Sequence, residues 1–343
     1  MAGQRRGTQG APSLSDVARL AGVSAQTVSR VSMGAGNVRP ATREKVLKAM
    51  NQLGYSPNRA AQALRRGSFR AIGVLTQQIQ RTGEALTTAG VLEAATRADY
   101  TVNLIQVERP ESEDLRQAVY RLSHQAVDGL VVVQAGRAGL EHLSLPPTLP
   151  VAVSDSALVG YYPSASADQA GGVRAAVEHL LGLGHRAVHH VAGPEGSQSA
   201  LIRRATWAAS LREAGVAVPD PLPGDWSAAS GYQAGLRLAE DPGVTAVFCA
   251  NDEMALGLIR AMHERGRAVP RDVSVVGFDG LDLGEFSFPP LTTVRQDFKR
   301  HGREMVALVL EQVDSGPMDG SRSIMIPTEL VLRGSTAPLG QRD

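Results

Sequence analysis

Several polar side chains in this 343-residue sequence follow short apolar runs and suit the binding of a polyhydroxylated molecule. Three acids or amides each come at the end of such a run: Asp155, Asn251 and Asp279. Adjacent sugar hydroxyls match a carboxylate or a guanidinium fork, and the apolar face of a sugar matches an aromatic ring. Further candidates for these roles are Arg203, Trp226 and Phe298. An acid after a strand also commonly caps the next helix, and capping is the interpretation we favour for Asp252.

The same sequence offers no persuasive catalytic constellation. It lacks the Gly-x-x-x-x-Gly-Lys-Ser/Thr phosphate loop, and Gly34-Ala35-Gly36 follows a helical pattern where a dinucleotide fingerprint would follow a strand. His189 and His190 are neighbours in a strand-like run and so point to opposite faces, which prevents shared metal ligation. A glycosidase pair of Asp155 and Asp279 is an alternative, although an acid pair alone is a poor predictor of hydrolysis. We therefore predict a binding protein with no catalytic residue, no metal and no cofactor.

The elements that must position these residues alternate between short apolar runs and helical stretches from residue 71 onward. Strand-like runs occur at 71–75, 101–107, 129–133, 187–191, 246–250 and 273–278, and helical ones at 84–97, 112–123, 168–181, 199–214 and up to 265. This alternation predicts parallel βαβ units arranged in two doubly wound lobes. Ligands of such sheets bind beyond the carboxyl ends of the strands, where the candidate residues lie. A secreted sugar receptor shares this body, but the sequence starts without an apolar signal segment.

Charge is divided unevenly along the chain. Residues 1–70 carry twelve Arg or Lys against two acids, whereas the whole chain has a net charge of +1. A basic segment on an acidic body is typical of a polyanion-binding module joined to a second domain. The length fits two or three domains, and no stretch is long and apolar enough for a membrane helix. A single cysteine, Cys249, fits a reducing compartment, so we expect a cytoplasmic protein with no membrane partner.

The basic segment has the periodicity of three short helices, with starts signalled at Ser13, Ser24 and Pro40. The second helix would project four residues outward: Ala25, Gln26, Ser29 and Arg30. The third is indicated by its apolar residues Val46, Leu47, Met50 and Leu53, with Gly54 as its C-terminal stop. Two short helices joined across residues 21–23 match a helix-turn-helix, whose second helix enters the major groove. An unspecialised three-helix unit has the same periodicity, and the positive charge favours DNA binding over it.

Residues 14–31, LSDVARLAGVSAQTVSRV, resemble the signature of the lactose-repressor (LacI/GalR) family of bacterial transcription regulators. Residues 42–46, TREKV, resemble the third helix of that family, and residues 54–64, GYSPNRAAQAL, its linker and hinge helix. By this resemblance Ala25, Gln26 and Arg30 take base-reading positions, in which glutamine suits adenine and arginine suits guanine. The resemblance implies further DNA contacts for Ser24, Thr27, Ser29, Asn37, Thr42, Tyr55, Asn58, Ala61 and Leu64.

The hinge helix would act as a switch. An isolated helix as short as residues 58–64 is marginal in water and forms only when something packs against it. In the family, two such helices from a dimer pair in the minor groove, and Leu64 would wedge between base steps and kink the duplex. A buried leucine at a helix end is the alternative interpretation of Leu64.

The resemblance covers nearly the whole chain and is strongest to the lactose-responsive members of the family. It rests on the segments 192–194 (AGP), 224–231 (GDWSAASG), 250–257 (ANDEMALG), 274–279 (SVVGFD) and 289–298 (PPLTTVRQDF). It implies hydrogen bonds to sugar hydroxyls from Asp155, Arg203, Asn251, Asp279 and Gln296, with Trp226 and Phe298 packed against the sugar. The departures from the family pattern are Arg81, Ala167, His301 and, in the DNA-reading helix, Ala25. The second part of the effector and the operator are therefore not implied.

We predict an N-terminal all-α helix-turn-helix domain and an α/β two-lobed, periplasmic-binding-protein-like effector domain with doubly wound parallel sheets. The boundaries would be 1–57 for the helix-turn-helix domain, 58–69 for the hinge, 70–334 for the effector body and 335–343 for a tail. Lobe one would comprise 70–167 and about 298–324, and lobe two 168–297 and about 325–334. No leucine heptad follows Leu332, which predicts a homodimer.

The predicted function is sequence-specific repression of transcription. A sugar inducer, a galactoside or related glycoside, would release the repressor from a pseudo-palindromic double-stranded operator. Within the same class, the alternatives are a purine or phosphorylated metabolite as effector, or activation instead of repression.

Overall fold

The computed structural model describes residues 12–33, 37–56, 67–107, 117, 127–133, 145, 147–154 and 156–340. The chain divides into two units, residues 1–69 and residues 70–343. The first is helical and the second is an α/β body with two sheets, so the predicted fold class is confirmed. No helix within the described residues combines the length and the apolar character that crossing a bilayer requires.

The N-terminal unit contains α1 (Leu14–Ala21), α2 (Ala25–Ser32) and α3 (Pro40–Leu53). Ser13 starts α1 with a full capping box, and the Ser24 hydroxyl accepts the Thr27 N–H at the start of α2. Gly22 lies between the two helices with a φ of 66°, a left-handed conformation that glycine adopts without strain. The short turn and the two caps fix where α2 begins, and so which of its residues face outward.

A small apolar core joins the three helices. Its buried members are Val17, Ala18, Val28, Val31, Val46, Ala49 and Met50. Of the apolar residues that indicated α3, Leu47 is 48% exposed, whereas Ala49 is buried beside Val46 and Met50. At 3.6 residues per turn, positions 46, 49, 50 and 53 share one face of α3 and position 47 lies about 100° away from position 46.

The second unit alternates strands with helices. Its described strands are β1 (Ala71–Thr76), β2 (Thr101–Gln106), β3 (Gly129–Val132), β4 (Val151–Val153), β5 (Ser164–Ala167), β6 (His189–Ala192), β7 (Leu222–Pro223), β8 (Ala246–Cys249), β9 (Ser274–Asp279), β10 (Thr292–Arg295), β11 (Ser323–Ile326) and β12 (Glu329–Val331). Its described helices are α4 (Thr82–Arg97), α5 (Gln169–Gly182), α6 (Gln198–Glu213), α7 (Ala228–Leu238), α8 (Asp252–Glu264), α9 (Asp282–Glu285) and α10 (Phe298–Ser315). The predicted helix at 112–123 lies outside the described residues apart from residue 117.

The strands form one six-stranded sheet in each lobe. The order is β11-β5-β4-β3-β1-β2 in lobe one and β12-β10-β9-β8-β6-β7 in lobe two. All neighbouring strands are parallel except β10 and β12. Strands β1, β3, β8 and β9 are buried along their whole length, as expected when helices cover both faces of a parallel sheet.

The chain passes between the lobes three times, after β5, after β10 and between β11 and β12. The third passage falls at residues 327–328, later than the residue 324 expected from the sequence. Residues 335–339 are also hydrogen-bonded into lobe two instead of forming a separate tail. Ser335 Oγ donates to the Val275 carbonyl, and the Leu339 N–H donates to the Leu183 carbonyl.

A buried histidine lies in the core of lobe two. The imidazole of His190 on β6 stacks on the Phe248 ring and contacts the Trp207 ring, each with centroids 5.0 Å apart. Its Nδ1 donates to the Phe248 carbonyl at 2.9 Å, whereas Nε2 has no hydrogen-bond partner in the described part of the chain. Burial lowers the pKa of His190 to about 4. The native fold therefore holds this imidazole neutral.

We expect acidification from pH 6.5 to pH 4 to remove about 3 kcal/mol of stability through His190 alone. The unfolded imidazole gains a proton below its ordinary pKa while the native one stays neutral, so stability present above pH 6.5 is lost as the pH falls. Denaturant unfolding at pH 7.5, 5.5 and 4.5 should show a weaker pH dependence for His190→Phe than for the wild type. The exposed His263→Gln is the control. Equal pH slopes for His190→Phe and the wild type would contradict the expectation.

Candidate ligand cleft and nucleic-acid interface

A cleft between the two lobes brings most of the predicted effector residues together. It encloses about 610 Å³ of empty space, part of it open to solvent. Six of the predicted residues line it: Arg203, Trp226, Asn251, Asp279, Gln296 and Phe298. The seventh, Asp155, lies outside the described residues. Asp279 ends β9, and Asn251 and Gln296 follow β8 and β10, so the carboxyl ends of three neighbouring strands supply the cleft.

Four buried polar side chains form a closed hydrogen-bonded set, the Arg203 network, comprising Gln169, Arg203, Asp279 and Gln296. Arg203 Nε donates to Gln169 Oε1 at 2.8 Å, and Arg203 Nη1 lies 3.4 Å from Asp279 Oδ1. Gln296 Nε2 donates to the same Oδ1 at 2.8 Å, and Gln169 Nε2 donates to Gln296 Oε1 at 3.2 Å. Sequence analysis missed Gln169, because a polar residue at the start of a helix is not a distinctive signal.

The guanidinium of Arg203 is held from several sides. It lies 3.7 Å from the Phe278 ring centroid and 5.5 Å from that of Trp226, and it also donates to the Ala250 carbonyl. Burial raises the pKa of Asp279 to about 6, although the nearby Arg203 charge opposes that rise. Gln296 and Arg203 both contact the Oδ1 oxygen of this carboxylate. The Asp279 side chain lines the cleft, where it is placed to accept a hydrogen bond from a ligand hydroxyl.

The position of Trp226 is set by its backbone and by one glycine. Trp226 has a φ of 76°, and Asn251 Nδ2 donates to its carbonyl at 3.0 Å. The indole lies against Gly193, where an added Cβ would come within 2.4 Å of it. Across the cleft, the Phe298 ring lies in van der Waals reach of a Cβ at Gly83. Two aromatic rings thus border the polar network.

The predicted capping role of Asp252 is wrong, because Asn251 is the N-cap of α8 and accepts the Met254 N–H at 2.9 Å. Asp252 is buried and accepts hydrogen bonds from the Leu281 N–H at 2.7 Å and from Thr293 Oγ1 at 2.5 Å. Burial, reinforced by the Asp279 charge, raises its pKa to about 7. Asp252 therefore links the segment after β9 to Thr293 on β10.

Sugar affinity is expected to fall about tenfold between pH 7 and pH 5, since Asp279 with a pKa of about 6 gains a proton there and loses an acceptor oxygen. Glu84 lines the same cleft, and burial also raises its pKa. Calorimetric titrations of Asp279→Asn and Glu84→Gln show which carboxyl is responsible. The affinity should depend less on pH only in the variant that removes that carboxyl. An unchanged pH profile in Asp279→Asn would contradict the assignment to Asp279.

The predicted DNA-reading residues divide into exposed and partly buried sets. Ser24, Ala25, Gln26, Arg30 and Asn37 are exposed, and Thr27, Ser29, Thr42 and Tyr55 are partly buried. Asn58, Ala61 and Leu64 lie outside the described residues. The Thr27 hydroxyl is engaged with Ser24 Oγ at 2.9 Å, and Tyr55 packs against the three-helix core. The outer face of α2 therefore presents one amide, one guanidinium and one methyl group.

A helix-turn-helix unit joined to a two-lobed body with a polar interlobe cleft defines the class of ligand-regulated DNA-binding proteins. Residues 13–58 match the family described as bacterial regulatory proteins, lacI family, and residues 177–336 match the periplasmic binding protein-like domain. The chain belongs to the LacI family.

The similarity to individual members extends over almost the full length. The lactose operon repressor of Escherichia coli (strain K12) is 37% identical over 329 residues, which cover 94% of this chain and 90% of that repressor. The HTH-type transcriptional repressor PurR of Haemophilus influenzae (strain PittEE) is 32% identical over 335 residues, or 94% of this chain and 98% of PurR. The crystal structure of the lac repressor dimer bound to operator and the anti-inducer ONPF matches with a TM-score of 0.85 and 36% identity, covering 95% of this chain and 99% of that one.

Proposed function

We propose that this protein represses transcription by binding a pseudo-palindromic operator as a homodimer, and that a neutral sugar bound in the cleft releases it. The observation that carries the sugar assignment is the Arg203 network, whose Asp279 carboxylate and Arg203 guanidinium line the cleft together with the rings of Trp226 and Phe298. A carboxylate and a guanidinium pair with hydroxyls, and the rings cover the apolar C–H face of a sugar. A galactoside or related glycoside is the first candidate, supported by the similarity to the lactose operon repressor.

The charge of the cleft disfavours a phosphorylated effector. Its described lining contains the guanidiniums of Arg81 and Arg203 but the carboxyls of Glu84, Glu253 and Asp279. A phosphate would bring about two negative charges next to these groups. A purine base is the second candidate, because the two aromatic rings suit stacking and PurR is a relative.

We assign the DNA contacts to the outer face of α2 and the switch to residues 58–69. Gln26 and Arg30 would read base edges, with Ala25 able to offer only a methyl contact, and phosphate contacts would come from the surrounding polar residues. Sugar binding would favour another orientation of the lobes and so separate the two hinge segments of the dimer. Coupling of this kind is reciprocal and is typically worth about 1–3 kcal/mol, so operator DNA must weaken sugar binding by the same factor.

Exposed apolar side chains support the homodimer. Leu92 on α4 is 52% exposed, and Phe286 and Phe288 after α9 are 82% and 95% exposed. Leu86 and Leu283 line one groove between α4 and the segment that contains α9. Exposed apolar side chains that share a groove, as Leu86 and Leu283 do, are typical of a protein interface. We propose that a second copy covers them.

The decisive experiment has two stages. Thermal-shift measurements of the full-length protein with mono- and disaccharides, phosphorylated sugars and purine bases identify ligands, since a ligand of the native state raises the melting temperature. Operator fragments selected from random DNA are then titrated with protein in the presence and absence of the ligand. We expect a neutral sugar to stabilise the protein and to release the operator. A purine that does both, with no response to sugars, would replace the sugar proposal.

A further inference from the structure

The side of the cleft contributed by lobe one is polar although no part of the Arg203 network belongs to it. We call Arg81, Glu84, Thr87, Ser154 and His301 the lobe-one wall; all five line the cleft. Arg81 precedes α4, Glu84 and Thr87 belong to α4, Ser154 follows β4 and His301 lies on α10. Four of them are buried, and Arg81 is partly buried. Hydroxyl, carboxyl, guanidinium and imidazole groups are thus collected opposite the Arg203 network.

One oxygen of Glu84 is left without a partner. Glu84 is 4% exposed, and its Oε2 accepts from Thr76 Oγ1 at 2.5 Å and from the N–H groups of Gln77 and Gln78 at 2.9 and 2.8 Å. The other oxygen, Oε1, is buried and makes no hydrogen bond to any residue that the structure describes. An unsatisfied buried acceptor is unfavourable unless a ligand or water donates a hydrogen bond to it. Three hydrogen bonds to Oε2 therefore fix the Glu84 carboxylate, and Oε1 is placed to accept a hydrogen bond from a ligand.

Arg81 and His301 add a donor and an acceptor. The Arg81 guanidinium makes no hydrogen bond to the described residues, and the charges nearest to it are those of Glu84 and Asp225. Burial lowers the pKa of Arg81, which reflects its partial removal from water. His301 Nε2 donates to the Ala165 carbonyl at 2.7 Å and lies 2.8 Å from Ser154 Oγ. With the proton on Nε2, Nδ1 can accept a hydrogen bond.

We infer that the lobe-one wall is a subsite for a second hydroxyl-bearing ring, and that the effector is a neutral disaccharide instead of a glycoside with an apolar group. This inference rests on the sugar-binding function proposed above. A hydroxyl both donates and accepts, so it can donate to Glu84 Oε1 and accept from Arg81. An ammonium group would face the Arg81 charge, and a carboxylate or phosphate would face Glu84 and Glu253. An apolar group would remove water from the wall without replacing its hydrogen bonds.

The two lobes contribute separate sets of side chains to the cleft, one set for each ring of a two-ring ligand. In lobe two, the Arg203 network offers hydrogen bonds and Trp226 offers a packing surface to one ring. In lobe one, the lobe-one wall offers hydrogen bonds to the other ring, with Phe298 beside it.

The test compares three probes that share one sugar. Calorimetric titration of the full-length protein is carried out with lactose, methyl β-galactoside and phenyl β-galactoside, and with the matching glucose set of cellobiose, methyl β-glucoside and phenyl β-glucoside. In the set that binds, we expect the disaccharide to bind about tenfold or more tightly than the phenyl glycoside. Arg81→Leu should reduce that ratio at least about tenfold by weakening the disaccharide and strengthening the phenyl glycoside, and Glu84→Gln should weaken the disaccharide selectively.

The controls are Arg97→Leu and Glu178→Gln, which remove exposed charges outside the cleft and should leave all affinities within about twofold. Methyl glycoside affinity should stay within about twofold in both wall variants. A general distortion of the cleft would weaken all three probes together and would overturn the inference, as would a phenyl glycoside that binds as tightly as the disaccharide. Failure of every glycoside to bind the wild type would instead refute the sugar-binding function itself.

Discussion

Arg203→Met is expected to lower the free energy of unfolding by about 3–5 kcal/mol and to eliminate sugar binding while operator binding persists. The side chain is 4% exposed and supplies hydrogen bonds to Gln169 and to the Ala250 carbonyl as well as the charge opposite Asp279. Without the guanidinium, Asp279 is a buried carboxylate that has lost its cation, and the Arg203 network loses its contacts to Gln169 and Asp279. Denaturant unfolding measures the first effect, and calorimetry with operator titration measures the others.

The adjacent residue provides a matched control. Arg204 is on the same helix with a side chain 47% exposed, and it lies 4.0 Å from the exposed Glu195. Arg204→Met should change stability by less than about 1 kcal/mol, because exposed ion pairs contribute little. The double variant Arg203→Met/Asp279→Asn should recover part of the lost stability by removing the unpaired charge. Equal stability of the two single methionine variants, or wild-type sugar affinity in Arg203→Met, would refute the role given to Arg203.

Gly257→Ala is expected to destabilise lobe two by about 3 kcal/mol or more. A Cβ at Gly257 would come within 1.9 Å of the Ala228 carbonyl oxygen and 2.9 Å of the Tyr232 nitrogen. On the facing helix, a Cβ at Gly231 would come within 2.0 Å of the Met254 carbonyl oxygen. Helices α7 and α8 therefore touch through their backbones, and neither can yield by rotating a side chain.

The same variant should also weaken sugar binding, because Trp226 lies just before α7 and would move with it. Gly182→Ala is the control: no atom lies within 4 Å of a Cβ there, so we expect no loss and a gain of up to about 1 kcal/mol from helix propensity. Thermal and denaturant unfolding measure the stability of both variants relative to the wild type. A Gly257→Ala protein as stable as Gly182→Ala would show that the two helices separate easily.

The parts of the fold that follow from local pattern could be predicted. Buried parallel strands are nearly continuous apolar runs, as in β8 and β9, and the polar residue that ends each run must lie at the cleft edge of its sheet. Asp279 and Asn251 could therefore be found without a structure. Strand β5 has the sequence SASA, and β7 has two residues, so neither carries an apolar signal.

Features that depend on distant partners could not be predicted. Asn251 and Asp252 are both good caps, and only the backbone direction after β8 decides that Asn251 takes the role. Gln169 becomes part of the Arg203 network because residues more than a hundred positions later return to it. Residues 335–337 are held by hydroxyl and backbone hydrogen bonds to the first residues of β9 and β10, and such contacts produce no hydrophobic periodicity in the sequence.

The three passages of the chain between the lobes restrict what a bound molecule can do to the protein. Gln169 follows the first passage, Gln296 lies within the second, and Thr328 in the third donates a hydrogen bond to the Asp168 carbonyl in the first. Because three segments connect them, the lobes cannot simply separate. Their relative movement is a rotation about these three segments. A bound molecule that contacts Gln296 acts at the pivot itself, because Gln296 is hydrogen-bonded to Gln169. A small displacement at that point produces a larger displacement at the parts of each lobe that lie far from the pivot.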